Sequence, residues 1–302
     1  MDTVQFQEKL VARFEMEFNT SVVSIQTPPQ GMSSSVFFVK TADGAEYAIK
    51  YGVNAMKDVP ALNLISKNHI DISVPQLLGT FLLEDVPVII LEKVQFPLLE
   101  SVLQEEMSKY VPSMIENLRK LHSIKSVFPG QLDGSSSKKT WKEIMLNIFT
   151  DKFDWDKIAC REGLDKNLVL MSVQKMREKI NDTVFEDTEY SLLHTDFNQR
   201  NLFVNPENHE IAGIIDWEEA MYGDPIYDFM RVHLFLLHFN LGEQAVREYY
   251  DLMHFTPEEK KLEDVYLLVY VIQHLAWYSE ELTEFNMGRI KLHQDYLRAY
   301  EW

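Results

Sequence analysis

The sequence predicts an α+β protein in which a small, β-rich N-terminal lobe precedes a larger, mostly helical C-terminal lobe. In the first lobe, "SVFFVKTADGAEYAIKYG" has two apolar strands joined by Ala42-Asp43-Gly44, a strong hairpin signal, and "VPVIILEKV" is a further apolar strand. Long apolar segments with helical spacing dominate the chain after about residue 96. We therefore divide the chain into residues 1–95 and residues 96–302.

Individual helices follow from the spacing of apolar residues and from the residues that begin them. In "DVPALNLISKN", Asp58 is a plausible N-cap and Pro60 lies in the first turn. The segment "SMIENLRKLHSI" is amphipathic. The segments "PIYDFMRVHLFLLHF" and "LEDVYLLVYVIQHLAWYSEEL" are apolar enough to be core helices, and their histidines are expected to be packed core residues.

Composition indicates a globular protein of the cytoplasm. Of the 302 residues, 46% are apolar, which is enough for a sizeable core. The single cysteine, Cys160, excludes an intramolecular disulfide and fits a reducing compartment. The N-terminal segment lacks the basic and apolar regions of a secretory signal, and the longest apolar run is too short to cross a bilayer. We expect no membrane partner.

The formal net charge is −18, from 29 basic and 47 acidic residues. This charge argues against a nucleic-acid partner, which requires a positive surface, and is compatible with a cationic small molecule. Residues 1–95 carry 7 basic and 11 acidic side chains, against 22 and 36 in the rest of the chain, so the acidic excess lies mostly in the second part. Solubility alone also explains an acidic composition. No obligate protein partner is evident.

One segment, "LLHTDFNQRNLFV", carries the pattern H-x-D-x-x-x-x-N through His194, Asp196 and Asn201. The strand "NLFV", the turn residues "NPENHE" and a second strand, "IAGIID", follow and predict a hairpin that ends at Asp216. Pairing of these strands brings Asn201 and Asp216 to one end, where their oxygens suit Mg²⁺. Asp196 would lie beside that site, positioned to accept a proton from a hydroxyl.

Aspartate and asparagine in loops more often cap turns or bond to their own backbone than act in catalysis. Three such residues at hairpin spacing, together with Lys50 near the end of a strand, favour a functional interpretation. Metal ligands on a nucleotide and a carboxylate that orients an acceptor hydroxyl are the components of phosphoryl transfer.

At these residues the sequence resembles the aminoglycoside phosphotransferases, protein-kinase-like kinases of small molecules. "LLHTDFNQRNLFV" resembles the catalytic loop of the family, and "IAGIIDWEEAMYGDPIYDF" its metal-binding segment, in particular that of the hygromycin-type enzymes. "IENLRKLHSI" and "AIK" resemble its Leu-His helix and its lysine strand. The matches run in the order of the family from about residue 30 to 230. The resemblance implies a bilobal protein-kinase-like fold, a phosphate donor that is ATP or GTP, and Mg²⁺.

The resemblance also implies roles for individual residues. Asp196 takes the position of the catalytic base, and Asn201 and Asp216 take the positions of the metal ligands. Lys50 would hold the nucleotide phosphates. His194 would support the loop through hydrogen bonds without reacting.

Further nucleotide contacts are implied in the first lobe. "QGMSSSVFF" stands where the family has its nucleotide-covering loop, so Ser33, Ser34 and Ser35 are candidate phosphate contacts, although a serine run is also a common turn. Backbone groups of Glu92 and Val94 would bind the base at the hinge.

The chain departs from the family at three positions. The glutamate that partners the lysine is replaced by Asp58, so either Asp58 pairs with Lys50, or Asp58 caps its helix and the lysine relies on phosphate alone. Arg200 stands where many relatives carry a small residue, and Phe96 where a glycine often follows the hinge. In "GDPIYD", Asp224 and Asp228 are expected to be structural.

The function that follows is phosphoryl transfer to a hydroxyl of a small, cationic molecule such as an aminoglycoside. Glu218, Glu219, Glu280 and Glu281 are candidate acceptor contacts, although the glutamates near 280 also suit a solvated helix face. Alternatives are a metabolic kinase of choline, homoserine or a sugar-like metabolite, and a nucleotide-binding protein without turnover. A protein kinase is disfavoured because little room remains for a peptide platform. A metal hydrolase is disfavoured because the histidines lack a ligand spacing.

Overall fold

The protein is described by a computed structural model that covers residues 3–28, 35–185 and 189–302. The helices are α1 (Thr3–Phe18), α2 (Asp58–Lys67), α3 (Val111–Leu121), α4 (Trp141–Thr150), α5 (Trp155–Ile158), α6 (Lys166–Asp182), α7 (Ile226–His238), α8 (Gly242–Met253), α9 (Pro257–Tyr278) and α10 (Glu284–Ala299). The strands are β1 (Val22–Gln26), β2 (Ser35–Thr41), β3 (Glu46–Tyr51), β4 (Leu77–Leu83), β5 (Val86–Glu92), β6 (Lys125–Ser126), β7 (Gly130–Gln131), β8 (Tyr190–Leu193), β9 (Leu202–Asn205), β10 (Glu210–Ile214) and β11 (Met221–Gly223). Short 3₁₀ helices span Ala55–Lys57, Leu99–Ser101 and Gln104–Tyr110.

The chain forms two compact units that each combine two stretches of sequence. Unit 1 contains Met1–Ile124 and His194–Ala220, and unit 2 contains Lys125–Leu193 and Met221–Trp302. The hairpin of β9 and β10 thus belongs to the same unit as the N-terminal sheet. The predicted division at residue 95 assigns nucleotide binding to residues 1–95 and acceptor binding to residues 96–302. This assignment of ligands stays a prediction.

Unit 1 contains a five-stranded antiparallel sheet in the order β1-β2-β3-β5-β4. The predicted hairpin between β2 and β3 is confirmed, with the amide of Thr41 donating to the carbonyl of Ala45 at 3.0 Å. Gly44 closes this turn at φ +89°, a backbone conformation that glycine adopts without a steric penalty. Register across the sheet pairs Lys50 with Val36 on one side and with Ile89 on the other.

The two faces of this sheet differ in chemistry because successive side chains of a strand point to opposite sides. Ile49 and its neighbours on one face form a core with α1; this core contains Leu10, Phe14, Phe37, Val39, Ile49, Leu83, Val88 and Ile90. Lys50 is therefore on the opposite face. Burial of α1 against one side fixes which side presents the lysine.

Helix α2 begins at Asp58 and buries Ala61, Leu62 and Ile65, so the prediction that Asp58 is the N-cap is wrong. Asp58 lies in its first turn, and the residue at the N-cap position is Lys57, which makes no side-chain capping bond. The carboxylate of Asp58 is thus not used as a helix cap.

The predicted hairpin after the H-x-D motif is confirmed as β9 and β10. Leu202 pairs with Ile214, and the amide of Ile215 donates to the carbonyl of Asn201 at 3.0 Å. The amide of Ile211, at the start of β10, donates to Oγ of Ser113 on α3 at 2.9 Å. The register therefore carries Asn201 and the residue before Asp216 to the same end of the hairpin.

Unit 2 is mostly helical, and the two apolar segments predicted to be core helices form α7 and α9. Its sheet, in the order β6-β8-β11-β7, has strands of two to four residues, which are too short to give a periodicity signal. Asp224 accepts hydrogen bonds from the amide of Ile226 and the hydroxyl of Tyr266, both at 2.9 Å, and Asp228 is fully buried. The hydrogen bonds of Asp224 brace the start of α7, and the structural role of both aspartates stays a prediction.

Three histidines pack where α7, α9 and α10 meet. Nε2 of His238 lies 3.4 Å from Nε2 of His293, and the ring of His274 stacks on that of Tyr270 with a centroid distance of 3.5 Å. Burial lowers the pKa of His238 to about 2 and that of His293 to about 4, so both rings are neutral at physiological pH. Across the described parts of the chain, no helix combines the length and apolar composition needed to span a bilayer.

Candidate active site

The site in unit 1 is organised around the ammonium group of Lys50. Nζ lies 3.0 Å from Oδ2 of Asp58 and 2.8 Å from Oδ1 of Asp216. A carboxylate oxygen of Glu218 lies 3.7 Å away. Strand β3 supplies the lysine, α2 supplies Asp58, and the segment after β10 supplies the other two carboxylates, so three separate pieces of chain converge on one cation.

Asp58 is the buried partner of the lysine. Only 2% of its surface is exposed, and this burial raises the pKa of its carboxyl to about 6, with the charges of Asp216 and Glu218 acting in the same direction and Lys50 opposing them. The carboxylate is ionised at neutral pH and contacts Lys50 through both oxygens. Of the two alternatives from the sequence, the contact between Asp58 and Lys50 is therefore the one present.

Glu218, a candidate acceptor contact, lies close to Lys50 in the structure, and its contact with an acceptor stays a prediction. Its Oε2 atom is buried, has no hydrogen-bond partner among the described residues, and lies 3.7 Å from Nζ of Lys50. Glu219, the next residue, is exposed. Sequence reasoning did not identify the contact of Glu218 with Lys50; the acidic residue two positions after Asp216 was its only signal.

The catalytic-loop motif forms a compact network of hydrogen bonds. Nδ2 of Asn201 donates to both Oδ2 and the backbone carbonyl of Asp196, each at 2.9 Å. Nε2 of the fully buried His194 lies 2.9 Å from the carbonyl of Ile215, and its Nδ1 accepts from the amide of Asp196 at 3.3 Å. His194 therefore carries its proton on Nε2 and holds the loop, which is the supporting role predicted for it.

Two residues near this network have left-handed backbone conformations, Thr195 at φ +65° and Asp216 at φ +67°. The buried ring of Trp217 anchors the chain next to Asp216 by donating from Nε1 to the carbonyl of Ile214 at 3.1 Å. The Thr195 hydroxyl donates to the carbonyl of Glu219 at 3.0 Å. This contact was not predicted, and its only signal in the sequence is a β-branched residue inside the H-x-D motif.

The oxygens near the hairpin end fit a hard divalent cation such as Mg²⁺. Asn201 makes its side-chain hydrogen bonds through Nδ2, and Asp216 contacts Lys50 through Oδ1. Oδ1 of Asn201 and Oδ2 of Asp216 have no hydrogen-bond partner among the described residues. Across residues 3–28, 35–185 and 189–302, no group of three or more His, Cys, Asp or Glu residues has the arrangement of a metal site. Mg²⁺ commonly uses one or two protein oxygens and completes its shell with phosphates and water, so this donor set fits it.

The hinge segment leaves backbone groups available for a ligand. The amide of Glu92 donates to the carbonyl of Gln76 at 3.0 Å, whereas neither the amide nor the carbonyl of Val94 has a partner among the described residues. Gly213 on β10 lets this segment approach closely, since a Cβ there would lie 3.0 Å from both Cγ atoms of Val94. Base binding by Glu92 and Val94 stays a prediction.

The remaining candidate residues are less informative. Ser33 and Ser34 lie outside the described residues, and Ser35 is the half-buried first residue of β2. Glu280 and Glu281 are exposed, and their contact with an acceptor stays a prediction.

Arg200, in the catalytic loop, forms an ion pair with Glu100, with Nε 3.1 Å from Oε2. The backbone of Glu100 also bonds to the loop, its amide donating to the carbonyl of Gln199 at 3.1 Å. Arg200 thus tethers the loop to the 3₁₀ helix Leu99–Ser101.

A lysine paired with an acidic residue of the following helix, an H-x-D-x-x-x-x-N loop and an aspartate closing a hairpin are the components of a kinase-type phosphotransferase. The sequence profile of the phosphotransferase enzyme family matches residues 24–261, and the chain belongs to that family. No curated protein matches the sequence.

Solved structures of this kind share the fold. Aminoglycoside phosphotransferase APH(4)-Ia is 17% identical, with a TM-score of 0.75 and 97% of each chain covered. Macrolide 2'-phosphotransferase type I is 14% identical, with a TM-score of 0.67 and coverage of 100% of this chain and 99% of that one. APH(2″)-IIIa in complex with GDP and kanamycin is 15% identical, with a TM-score of 0.65 and 98% coverage of both. The predicted α+β, protein-kinase-like fold is confirmed.

Proposed function

We propose that the protein is a nucleotide-dependent O-phosphotransferase that transfers the γ-phosphate of ATP or GTP to a hydroxyl of a small molecule. The observation that carries this proposal is the convergence of Asp58, Asp216 and Glu218 on Lys50, beside a loop that holds Asp196 and Asn201 in one hydrogen-bond network. Structures with this fold were solved with ADP and hygromycin B in one case and with GDP and kanamycin in another.

The residues have distinct tasks in this reaction. The charge of Lys50 would bind the nucleotide phosphates, and Asp58 would keep its ammonium group in place. Asn201 and Asp216 would hold Mg²⁺, which supplies charge neutralisation at the phosphates when bound. Asp196, oriented by Asn201, would accept the proton of the acceptor hydroxyl as the new O–P bond forms and the bond to the nucleoside diphosphate breaks.

We further propose that the acceptor is cationic and resembles an aminoglycoside. The support is the net charge of −18, with most of the excess after residue 95, and the exposed carboxylates of Glu219, Glu280 and Glu281. An acidic surface concentrates cations and strengthens charge-assisted hydrogen bonds to ammonium groups. Residence in the cytoplasm, where both nucleotides are available, belongs to the same proposal.

A second candidate is a metabolic kinase whose acceptor carries one positive charge or none, such as choline, homoserine or a sugar-like metabolite. The orientation of Glu218 favours this second candidate. Its carboxylate lies near Lys50, so Glu219 is the exposed acidic residue that this segment offers to a cationic acceptor.

The test is a panel of acceptors assayed for nucleotide-dependent product. Aminoglycosides, amino alcohols and neutral sugars are each incubated with MgATP or MgGTP, and phosphorylated product is detected by mass spectrometry. Lys50→Ala, purified in parallel, controls for contaminating kinases. We expect at least one acceptor to be phosphorylated by the wild type and not by the variant. Product formation at equal rates by both proteins would contradict the proposal.

A further inference from the structure

Thr195, the middle residue of the H-x-D motif, adopts a conformation that its side chain disfavours. Its φ is +65°, and a β-branched residue in this left-handed region is a genuine outlier with a strained backbone. Glycine would adopt the same backbone conformation without that cost. A threonine here therefore calls for a compensating interaction of its side chain.

That interaction is the hydrogen bond from the Thr195 hydroxyl to the carbonyl of Glu219 at 3.0 Å. Glu219 lies in a tight turn that the amide of Ala220 closes by donating to the carbonyl of Trp217 at 3.0 Å. The bond fixes the orientation of one peptide group in the turn. Its donor and acceptor are separated by 24 positions, so the bond links two distinct segments.

The same two segments are linked at a second place. The amide of Ile215 donates to the carbonyl of Asn201 at 3.0 Å, and the ring of His194 bonds to the carbonyl of Ile215 at 2.9 Å. Both links precede Asp216, whereas the link from Thr195 follows it. The residues between the two attachments include Asp216 and Glu218, whose carboxylates face Lys50.

We propose that Thr195 is a positioning residue that fixes the segment 216–219 to the catalytic loop, so that Asp216 and Glu218 keep their places at Lys50. The inference rests on the proposed function in that this segment would hold the nucleotide-bound metal. Without the hydroxyl, the segment keeps the hydrogen bonds at Ile215 and the packing of the Trp217 ring on His194, but it loses the hydrogen bond to the catalytic loop that follows Glu218. Asp216 then samples more orientations, and the population with the productive geometry falls.

Three substitutions separate the hydroxyl from the strain. Thr195→Gly removes both, Thr195→Ser keeps the hydroxyl with a less hindered backbone, and Thr195→Val keeps the branched shape and the strain without the hydroxyl. A residue that only stabilised the fold would change the thermal midpoint and turnover together. If Thr195 is a positioning residue, Thr195→Gly lowers turnover without lowering the thermal midpoint. Relief of backbone strain compensates the stability lost with the hydrogen bond, but it does not restore the position of the segment.

The experiment combines hydrogen–deuterium exchange of a peptide covering residues 216–220 with thermal melting and steady-state turnover. In Thr195→Gly we expect the amides of this peptide to exchange about tenfold faster at an unchanged or higher thermal midpoint. We also expect kcat to fall about tenfold with the nucleotide KM changing less. Thr195→Ser should match the wild type in exchange and in kcat, at an unchanged or higher thermal midpoint.

Two outcomes would overturn the inference: exchange at residues 216–220 in Thr195→Gly equal to that of the wild type, or kcat within about twofold of it. Thr195→Val, if it folds, should exchange as fast as the glycine variant, and protection like that of the wild type would also count against the inference. A wild type without nucleotide turnover would refute the proposed function, while the exchange measurement would still decide the role of Thr195.

Discussion

At the scale of single residues, Asp58 shows how a functional contact can act against stability. Burial and the nearby carboxylates raise the pKa of Asp58 to about 6, so ionisation of this group is less favourable in the folded protein than in the unfolded chain. Lys50 offsets part of this cost. An ionised, buried carboxylate that the fold disfavours is expected where its charge serves a ligand.

Asp58→Asn removes the charge and nearly preserves the shape. We expect the nucleotide KM to rise about tenfold and the thermal midpoint to stay unchanged or increase, because the penalty for the buried charge disappears while Lys50 keeps Asp216 and Glu218 as partners. Asp58→Ser should behave in the same way, since Asp58 is not a helix cap. Combined with Lys50→Ala, either variant should show a less than additive effect.

The control is Asp71→Asn, which alters an exposed aspartate. The nucleotide KM is measured for the wild type, Asp58→Asn, Asp58→Ser and the control. A nucleotide KM of Asp58→Ser equal to that of the wild type would show that the contact with Lys50 does not serve nucleotide binding.

The sequence offered Asp58 as the partner of Lys50 in one of two alternatives, but it did not reveal the full surroundings of the lysine. Spacing back from a proline placed an acidic residue on α2, and α2 carries only one candidate, Asp58. The direction of the Glu218 side chain was not predictable, because it depends on the left-handed backbone of Asp216, a conformation that only a few aspartates adopt.

At the scale of elements, the hairpin of β9 and β10 determines where the proposed metal ligands lie. Its strands and turn were predicted from a β-branched and apolar pattern on both sides of "NPENHE", and the register then follows from pairing around that turn. Strand β11, with three residues, could not be predicted in this way because its pairing with β7 and β8 is a tertiary contact.

The metal ligands can be tested by substitutions that respect this geometry. Asp216→Asn is preferable to alanine, because asparagine tolerates a left-handed conformation better than alanine does. We expect Asp216→Asn to lower Mg²⁺-dependent nucleotide affinity about 100-fold, and Asn201→Ala to lower it less, since a neutral ligand is removed. Calorimetric titration with nucleotide, in Mg²⁺ and in EDTA, measures both effects. Unchanged affinity in Asp216→Asn would show that the hairpin end is not the metal site.

The helices α7, α9 and α10 give a pH-dependent stability. His293 and His238 have pKa values of about 4 and about 2 in the folded protein, lowered by burial and also by the charges of Arg231 or Arg289 nearby. Since an unfolded histidine titrates near 6.5, the stability from each neutral ring is complete above that pH and is lost as the pH falls towards the folded value.

For His293 this linkage amounts to about 2 kcal/mol between pH 7 and pH 5. Between pH 7 and pH 5, we expect the unfolding free energy of the wild type to fall by about 2 kcal/mol more than that of His293→Gln. Urea denaturation at the two pH values provides the numbers, with His69→Asn on an exposed site as the control. Equal losses in His293→Gln and the wild type would contradict the assignment; if His293→Gln does not fold, His238→Gln serves the same purpose.

At the scale of the whole molecule, the acidic surface bears on the class of acceptor. A polycation that is steered and bound by surface charges should lose affinity as salt rises, because charges are screened beyond about 10 Å at 0.1 M ionic strength. We expect the acceptor KM to rise several-fold between low and moderate salt while the nucleotide KM changes less. An acceptor KM that is constant across this range would favour the metabolic-kinase alternative.

The fold class itself was predictable because a β-rich segment preceded a helical one and a hairpin with functional residues lay between helices. The composition of the two units was not, since His194–Ala220 joins the N-terminal sheet through contacts that are distant in sequence. The acceptor is not predictable from sequence for a related reason, since the candidate glutamates near 280 are exposed side chains with no required partner.

In the proposed reaction, Asp196 acts as the base of a phosphoryl transfer. The most direct measurement is the turnover of Asp196→Asn on the acceptor found in the panel, together with its MgATP affinity. We expect nucleotide affinity close to that of the wild type and a kcat lower by a factor of about 10²–10⁴. A kcat within about twofold of the wild type would contradict it.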